Sequence, residues 1–200
     1  ETTAQQMPET MEMLRHAIAT QTVEGKDQVA VLAQYLAAKL ESAGFAKSDI
    51  EIIPVGNTAA LVAHYRGRGK GKPILISAHM DVVAANPKDW TRDPFTLIEE
   101  NGYLYGRGTA DMKTNVVAVV ATMMRFKREG FVPDHEMILV FSGDEETTMA
   151  STRVLAERYR DAEFLLNADG GGGTYDANLK PVVFEVQAAE KSYADFLLTA

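Results

Sequence analysis

The stretch PILISAHMD, residues 73–81, sets a continuous apolar run directly against a histidine and an aspartate. Uninterrupted apolar residues bounded by turn signals read as a strand buried on both faces, the kind found inside a parallel sheet. The design recurs downstream in MILVFSGDEE (137–146) and in FLLNAD (164–169), each an apolar run that ends in acid. Upstream, IEIIPV (50–55) and AALVAHY (59–65) read as further strands, divided by Gly and Asn turns. Helical spacing fills the intervals. From about Asp27 to Ala43, Val29, Leu32, Leu36 and Leu40 recur every three or four residues, and Gly44 supplies a C-terminal stop. A second helix is expected from Lys113 to Glu129, ending at Gly130, and a third from Ala150 to Tyr159. The segment holding Pro87, Trp90 and Pro94 reads as a long loop. Strands alternating with helices predict a layered α/β domain with a mixed, mostly parallel sheet.

Composition narrows the function classes. The 200 residues are 46% hydrophobic, an ordinary globular value, so a buried core is expected. Against 28 acidic residues stand 20 Lys and Arg, a net charge of −8, with no basic stripe to engage a phosphate backbone. Nucleic acid is therefore not an expected partner, and GRGKGK (67–72) reads as an exposed turn because it lacks the spacing and following helix of a phosphate loop. No cysteine occurs, which excludes disulfides and thiolate metal sites and leaves His and carboxylates as the available ligands. No apolar run has the length of a membrane span. The polar start ETTAQQMPE has the look of what remains after a leader or tag is removed, which points to a periplasmic or secreted protein. At the other end SYADFLLTA alternates like a strand and carries no turn signal, as if the chain were cut inside a longer protein.

In open α/β sheets, ligands bind beyond the carboxyl ends of the strands. His79 and Asp81 end one predicted strand, Glu145 and Glu146 follow another, and Asp169 follows a third. Asp111 sits between the glycine turn of GRGTAD and a helix. His79 and Asp81 are two apart in an extended segment and so point the same way, letting the acid hold the ring of a metal-ligating imidazole. The same pair also reads as a surface His beside a capping Asp. Three adjacent acids, Asp144, Glu145 and Glu146, repel one another unless a cation compensates them. Neighbouring side chains diverge, so one Glu can ligate while the other serves as general base; a solvated acidic loop is the other reading. Asp111 as an N-cap and Asp169 as a turn residue are likewise open. His16, His64 and His135 lie in a helix, an alternating strand and a polar loop, and all read as structural or surface residues. Lys113 is given no catalytic role, and Trp90 and Phe95 read as loop anchors or as a pocket mouth.

Taken in order, HMD (79–81), DPFTLIEENGYLYGRGTADMK (93–113), DEE (144–146) and Asp169 resemble the zinc-dependent metallopeptidase family of carnosine dipeptidase, glutamate carboxypeptidase, aminoacylase and succinyl-diaminopimelate desuccinylase. The resemblance spans about Met11 to Ala200. It implies a three-layer α/β/α zinc-peptidase-like domain over 1–190, with 191–200 opening a lid and dimerisation domain. It also implies two zinc ions, cobalt or manganese being possible substitutes. Asp111 would bridge them, His79 and Asp169 completing one ion and Glu146 binding the other. Asp81 would orient His79, Glu145 would be the general base, and a cis peptide bond would follow Asp111. The implied substrate is a small peptide or an N-acyl amino acid, and the implied assembly a homodimer through the lid. Three departures stand out. No histidine here matches the family's late zinc ligand, the lid's oxyanion histidine and substrate-carboxylate contacts are missing, and Thr147-Thr148-Met149-Ala150 replaces the glycines that many relatives carry after DEE. The function expected is amide hydrolysis by an exopeptidase or dipeptidase, with this stretch inactive by itself. A deacylase with the same metals is the alternative. An inactive binding homologue is a third reading, against which the retained Glu145 beside Glu146 speaks.

Overall fold

The period-two pattern of the central strands sorts their side chains onto two faces, and each face meets its own helices. In a computed structural model that describes residues 3–170, 172–178 and 180–189, the chain divides into two compact units, Glu1–Asp169 and Gly170–Ala200. The first begins with α1 (Thr3–Ala19), α2 (Val29–Ser42), β1 (Ile50–Val55), β2 (Thr58–Tyr65) and β3 (Ile74–His79). It continues through β4 (Ile98–Glu100), β5 (Tyr103–Tyr105), α3 (Lys113–Arg128), β6 (Met137–Ser142), α4 (Ala150–Arg158) and β7 (Phe164–Asn167). In the second unit β8 (Gly172–Tyr175) and β9 (Pro181–Glu185) pair as an antiparallel hairpin. The strand expected in SYADFLLTA, and the lid expected to open at 191–200, lie outside the described residues.

Five strands form one sheet in the order β1-β2-β6-β3-β7. β2 runs antiparallel to both neighbours, whereas β6, β3 and β7 run parallel. The pairings His79 with Ser142 and Ser77 with Asn167 bring the carboxyl ends of those three strands to one edge. Leu61, Ala63, Ala78, Leu139 and Phe141 face one side, where α1, α2 and α3 bury Met13, Leu36, Val116 and Val120 against them. Ala60, Val62, Leu75, Ile138 and Val140 face the other, where Leu155 of α4 packs. Burying each large aliphatic side chain contributes roughly 1.5–3 kcal/mol, so this double core holds the sheet between its helical layers. The expected three-layer α/β/α arrangement is what the chain adopts. At the end of α2, Gly44 takes φ +102 while the Gly44 and Phe45 amides bond back to Glu41 and Leu40 carbonyls, which closes the helix where the sequence places its stop.

Two features depart from the sequence reading. The long loop after β3 contains a hairpin, β4–β5, turning on Asn101 and Gly102, both at positive φ. Asn-Gly is the residue pair that such a two-residue turn favours, so the signal was present. The other departure is β7, an apolar strand whose Phe164, Leu165 and Leu166 are 49, 50 and 54% exposed and whose one partner among the described residues is β3.

Candidate metal centre

Strand β3 delivers His79 to the sheet edge with its side chain 2% exposed. The ring Nδ1 donates to the Asp81 main-chain oxygen at 3.1 Å. That bond fixes the ring and turns Nε2 toward Asp111 Oδ1 at 2.9 Å and Asp169 Oδ2 at 3.8 Å. Asp111 arrives from the turn before α3, where the Asp111–Met112 peptide is cis. Met112 is wholly buried, and its sulfur accepts the His79 amide at 3.2 Å. Asp169 follows β7. The Ala168 amide bonds Ser77 O at 2.9 Å, and Asn115 of α3 donates to Ala168 O at 2.7 Å, so α3 and β3 together fix the chain just before this acid.

The run Asp144-Glu145-Glu146 splits in direction. Asp81 accepts the Glu145 amide on one carboxylate oxygen at 3.1 Å and the Glu146 amide on the other at 3.0 Å. Asp81 thus orients His79 chiefly through its backbone, the carboxylate lying 3.4 Å from Nδ1 and being committed to the acidic turn. Asp144 turns away. Its buried carboxylate accepts from Ala150 N at 2.7 Å, Ser151 N at 2.9 Å and the hydroxyls of Ser151 and Thr148, which makes it the cap of α4. The repulsion expected among three adjacent acids is thus relieved in part without a cation: two face the centre, and four donors satisfy Asp144. In the stretch where the resemblance implies glycines, Thr148 supplies one of those donors and Met149 takes φ +53, a left-handed conformation that side chains resist.

The electrostatics favour a cation. Burial alone would drive His79 toward its neutral form, but Asp81, Asp111 and Asp169 outweigh it and raise the ring to about 9. Burial raises Glu145, His79 opposing and the carboxylates of Asp169, Asp81 and Asp111 adding to the rise. Glu146 is raised by burial and then by Asp111. For Asp144 burial pushes upward, yet the hydrogen bonds from Ser151 and Thr148 prevail and lower it. A site that draws protons onto an imidazole and two glutamates carries uncompensated negative charge. Among the described residues, two sets of donor atoms each lie within 4.8 Å of one another, His79 with Asp111 and Asp169, and His79 with Glu145 and Glu146. Imidazole and carboxylate without thiolate suit zinc or another divalent ion, so this set fits the group that the sequence implied.

All six sequence-predicted residues therefore meet at one edge. The other histidines stand apart: His16 stacks on Tyr35 at 3.6 Å, His64 bonds Glu136 at 2.8 Å and His135 bonds Lys72 O at 2.8 Å. An open groove of about 280 Å³ leads from His79, Glu145 and Asp169 along Leu75, Val140 and Leu155. One residue that the sequence reading set aside is central to the packing. Lys113 is wholly buried, donates to Ala17 O and Thr20 O, and is lowered by burial to about 7. A lysine that opens an amphipathic helix gives no sign of such burial in sequence.

The strand ends of a mixed sheet and the turn before α3 thus gather a histidine and four carboxylates around one point, a donor set that suits a divalent metal. The chain belongs to peptidase family M20/M25/M40, whose profile matches residues 75–194. It is 38% identical over 156 residues to a probable succinyl-diaminopimelate desuccinylase of Staphylococcus aureus (strain Mu50 / ATCC 700699), covering 74% of this chain and 38% of that one. With a probable di- and tripeptidase of Saccharomyces cerevisiae it shares 33% identity over 168 residues, 76% of this chain and 19% of the relative. The chain thus spans well under half the length of these curated relatives. Among solved structures, human carnosine dipeptidase 1 superposes with a TM-score of 0.67 at 20% identity, over 84% of this chain and 41% of the other. The M20 family metallo-carboxypeptidase Sso-CP2 of Sulfolobus solfataricus gives 0.71 at 20% identity, over 82% and 38%. These two likenesses show the shared fold.

Proposed function

We propose that this chain is the metal-binding portion of a two-zinc amide hydrolase acting on small peptides as an exopeptidase or dipeptidase. The observation that carries the reading is the placement of Glu145, whose amide is pinned by Asp81 and whose carboxylate shares a 4.8 Å cluster with His79 and Glu146. His79, Asp111 and Asp169, which cluster in the structure, would hold one ion, and Asp111 and Glu146 would hold the other, as the family resemblance implies. Zinc bound there would acidify a water and polarise the scissile carbonyl. The chain's own contribution is then proton handling and orientation. The Glu145 carboxylate takes the proton of the attacking water and passes it to the leaving amine nitrogen. Asp81 keeps that carboxylate in line by holding both glutamate amides, and the buried His79 ring, locked through Nδ1, keeps Nε2 aimed at the donors.

The second ion has fewer ligands within these residues than the first, and the chain alone is expected to be inactive. The complete protein would be a homodimer through its lid. A deacylase of N-acyl amino acids is the second reading, favoured by the relative named as a desuccinylase. In the full-length protein, Glu145→Gln is expected to retain metal and to lower turnover roughly 10²–10⁴-fold. Metal content by mass spectrometry and hydrolysis of dipeptides against N-succinyl amino acids make the comparison. Wild-type turnover in the variant would refute the role of Glu145, and preference for the N-succinyl series would select the deacylase.

A further inference from the structure

We propose that Lys113 is a positioning residue for Asp111, a buried amine latch between the turn that bears this acid and the C-terminal end of α1; the proposal rests on the metal reading above. Lys113 is wholly buried, and its Nζ donates to Ala17 O at 2.8 Å and Thr20 O at 2.6 Å. Both acceptors belong to the last turn of α1 and its exit, where carbonyls lack helical partners and the helix dipole is negative. Two residues on, Thr22 Oγ1 donates to Met80 O at 2.7 Å and Thr22 O accepts the Val82 amide at 3.1 Å. One short segment, Ala17 to Thr22, therefore holds the start of α3 on one side and the strand exit carrying Asp81 on the other. Gly108 closes the arrangement: a Cβ there would lie 3.0 Å from Lys113 Cδ and 3.1 Å from Val82 Cγ1.

Asp111 has a side chain 59% exposed, so packing around the side chain does not fix it. Its backbone does, and that backbone is tied two residues later by Lys113. Without the Lys113 amine, Ala17 O loses this donor, Thr20 O keeps only the Thr22 amide at 2.8 Å, and the first turn of α3 loses its tie to the end of α1. Asp111 would then drift relative to His79, which remains anchored in β3. A purely structural lysine would cost stability and leave the donor geometry alone, and this difference can be read out.

Cobalt(II) is the probe, with affinity measured against a competing chelator and coordination by visible absorption. Lys113→Met is expected to weaken cobalt affinity roughly 10–100-fold and to shift the absorption, as loss of a supporting contact does. Val120→Ala, a buried truncation in the same helix, is expected to lower stability and leave both readouts unchanged. Because the chain has no other cysteine, Lys113→Cys can be alkylated with 2-bromoethylamine while unfolded, and the restored amine is expected to recover affinity. Wild-type affinity in Lys113→Met overturns the proposal, as does failure of the restored amine to recover it. If Lys113→Met does not fold, linkage supplies the measurement in the wild-type chain. Cobalt should then slow amide exchange at Thr20 and Thr22 by a larger factor than in β1, and an equal factor overturns the latch. Absence of cobalt binding by the wild-type chain overturns the metal reading itself and the latch with it, whereas tight binding in Lys113→Met overturns the latch alone.

Discussion

Replacing Asp144 separates the acids of the DEE run by function. The Asp144 carboxylate satisfies the first two amides of α4, Ala150 N and Ser151 N, and accepts the hydroxyls of Thr148 and Ser151. Ser151 is itself wholly buried, so its amide has no solvent to turn to. Loss of a capping side chain costs about 0.5–2 kcal/mol, and loss of a bond to a charged acceptor about 1.5–3. These overlap, since the helix start can relax, and about 3 kcal/mol is expected for Asp144→Ala. Asp144→Asn keeps the shape and one acceptor oxygen, so roughly half that cost is expected. In a chain of this length the alanine variant should melt roughly 6–12 °C lower. Urea unfolding followed by circular dichroism measures both variants. Because this carboxylate faces α4, the asparagine variant should hold cobalt as the wild-type chain does, while Glu146→Gln should not. Asp144→Ala within about 0.5 kcal/mol of wild type would refute the capping role, because surface substitutions without a structural role lie in that range. Loss of cobalt affinity in Asp144→Asn to match Glu146→Gln would show that the acid is a ligand after all.

Glu9 and Arg128 join α1 to α3 through two bonds of 2.7 and 3.1 Å, and the Arg128 hydrogen bond holds Glu9 below its ordinary 4.5. A depressed carboxylate stabilises the fold above its unfolded value and stops doing so as pH falls through its folded one. Wild type should therefore exceed Glu9→Gln by about 0.5–1 kcal/mol at neutral pH, with the margin closing below the ordinary value; an unchanged margin in urea unfolding at low pH would contradict this. Gly143→Ala should cost at least about 2 kcal/mol, because the new Cβ meets the Ala59 carbonyl, with Thr58 Oγ1 and Val29 Cγ1 both at 2.5 Å. The strand exit that follows leads to Glu145 and Glu146, so weakened cobalt binding should accompany the loss, and wild-type stability would show that the backbone has room there.

Much of this was legible in sequence because local pattern and burial agree. Val29, Leu32, Leu36 and Leu40 are spaced as one helix face and are all buried on it. The apolar run before Glu145 is a buried strand because helices cover both its faces, whereas the run before His79 is buried only in part, at Leu75, Ala78 and His79. The donor residues could be located from the same runs, since a strand end in a parallel sheet is where polar groups converge. What could not be read depends on contacts distant in sequence. Asp144 and Glu145 are adjacent and chemically alike; only the turn that places Ser151 beneath one and His79 near the other tells them apart. Lys113 opens its helix as a solvated lysine would, and its burial follows from α1 carbonyls 96 and 93 residues earlier in the chain.

The two-handed grip of Asp81 on the acidic turn also bears on how such a site can change over generations. One carboxylate sets the position of a proposed ligand, Glu146, and of the proposed base, Glu145, while its own backbone steadies the histidine. If those proposed roles hold, a substitution at Asp81 would disturb metal affinity and proton transfer together. On the proposed function, variation would then be pushed outward, to walls and loops away from this turn, and a lineage would alter what it cleaves more readily than how it cleaves.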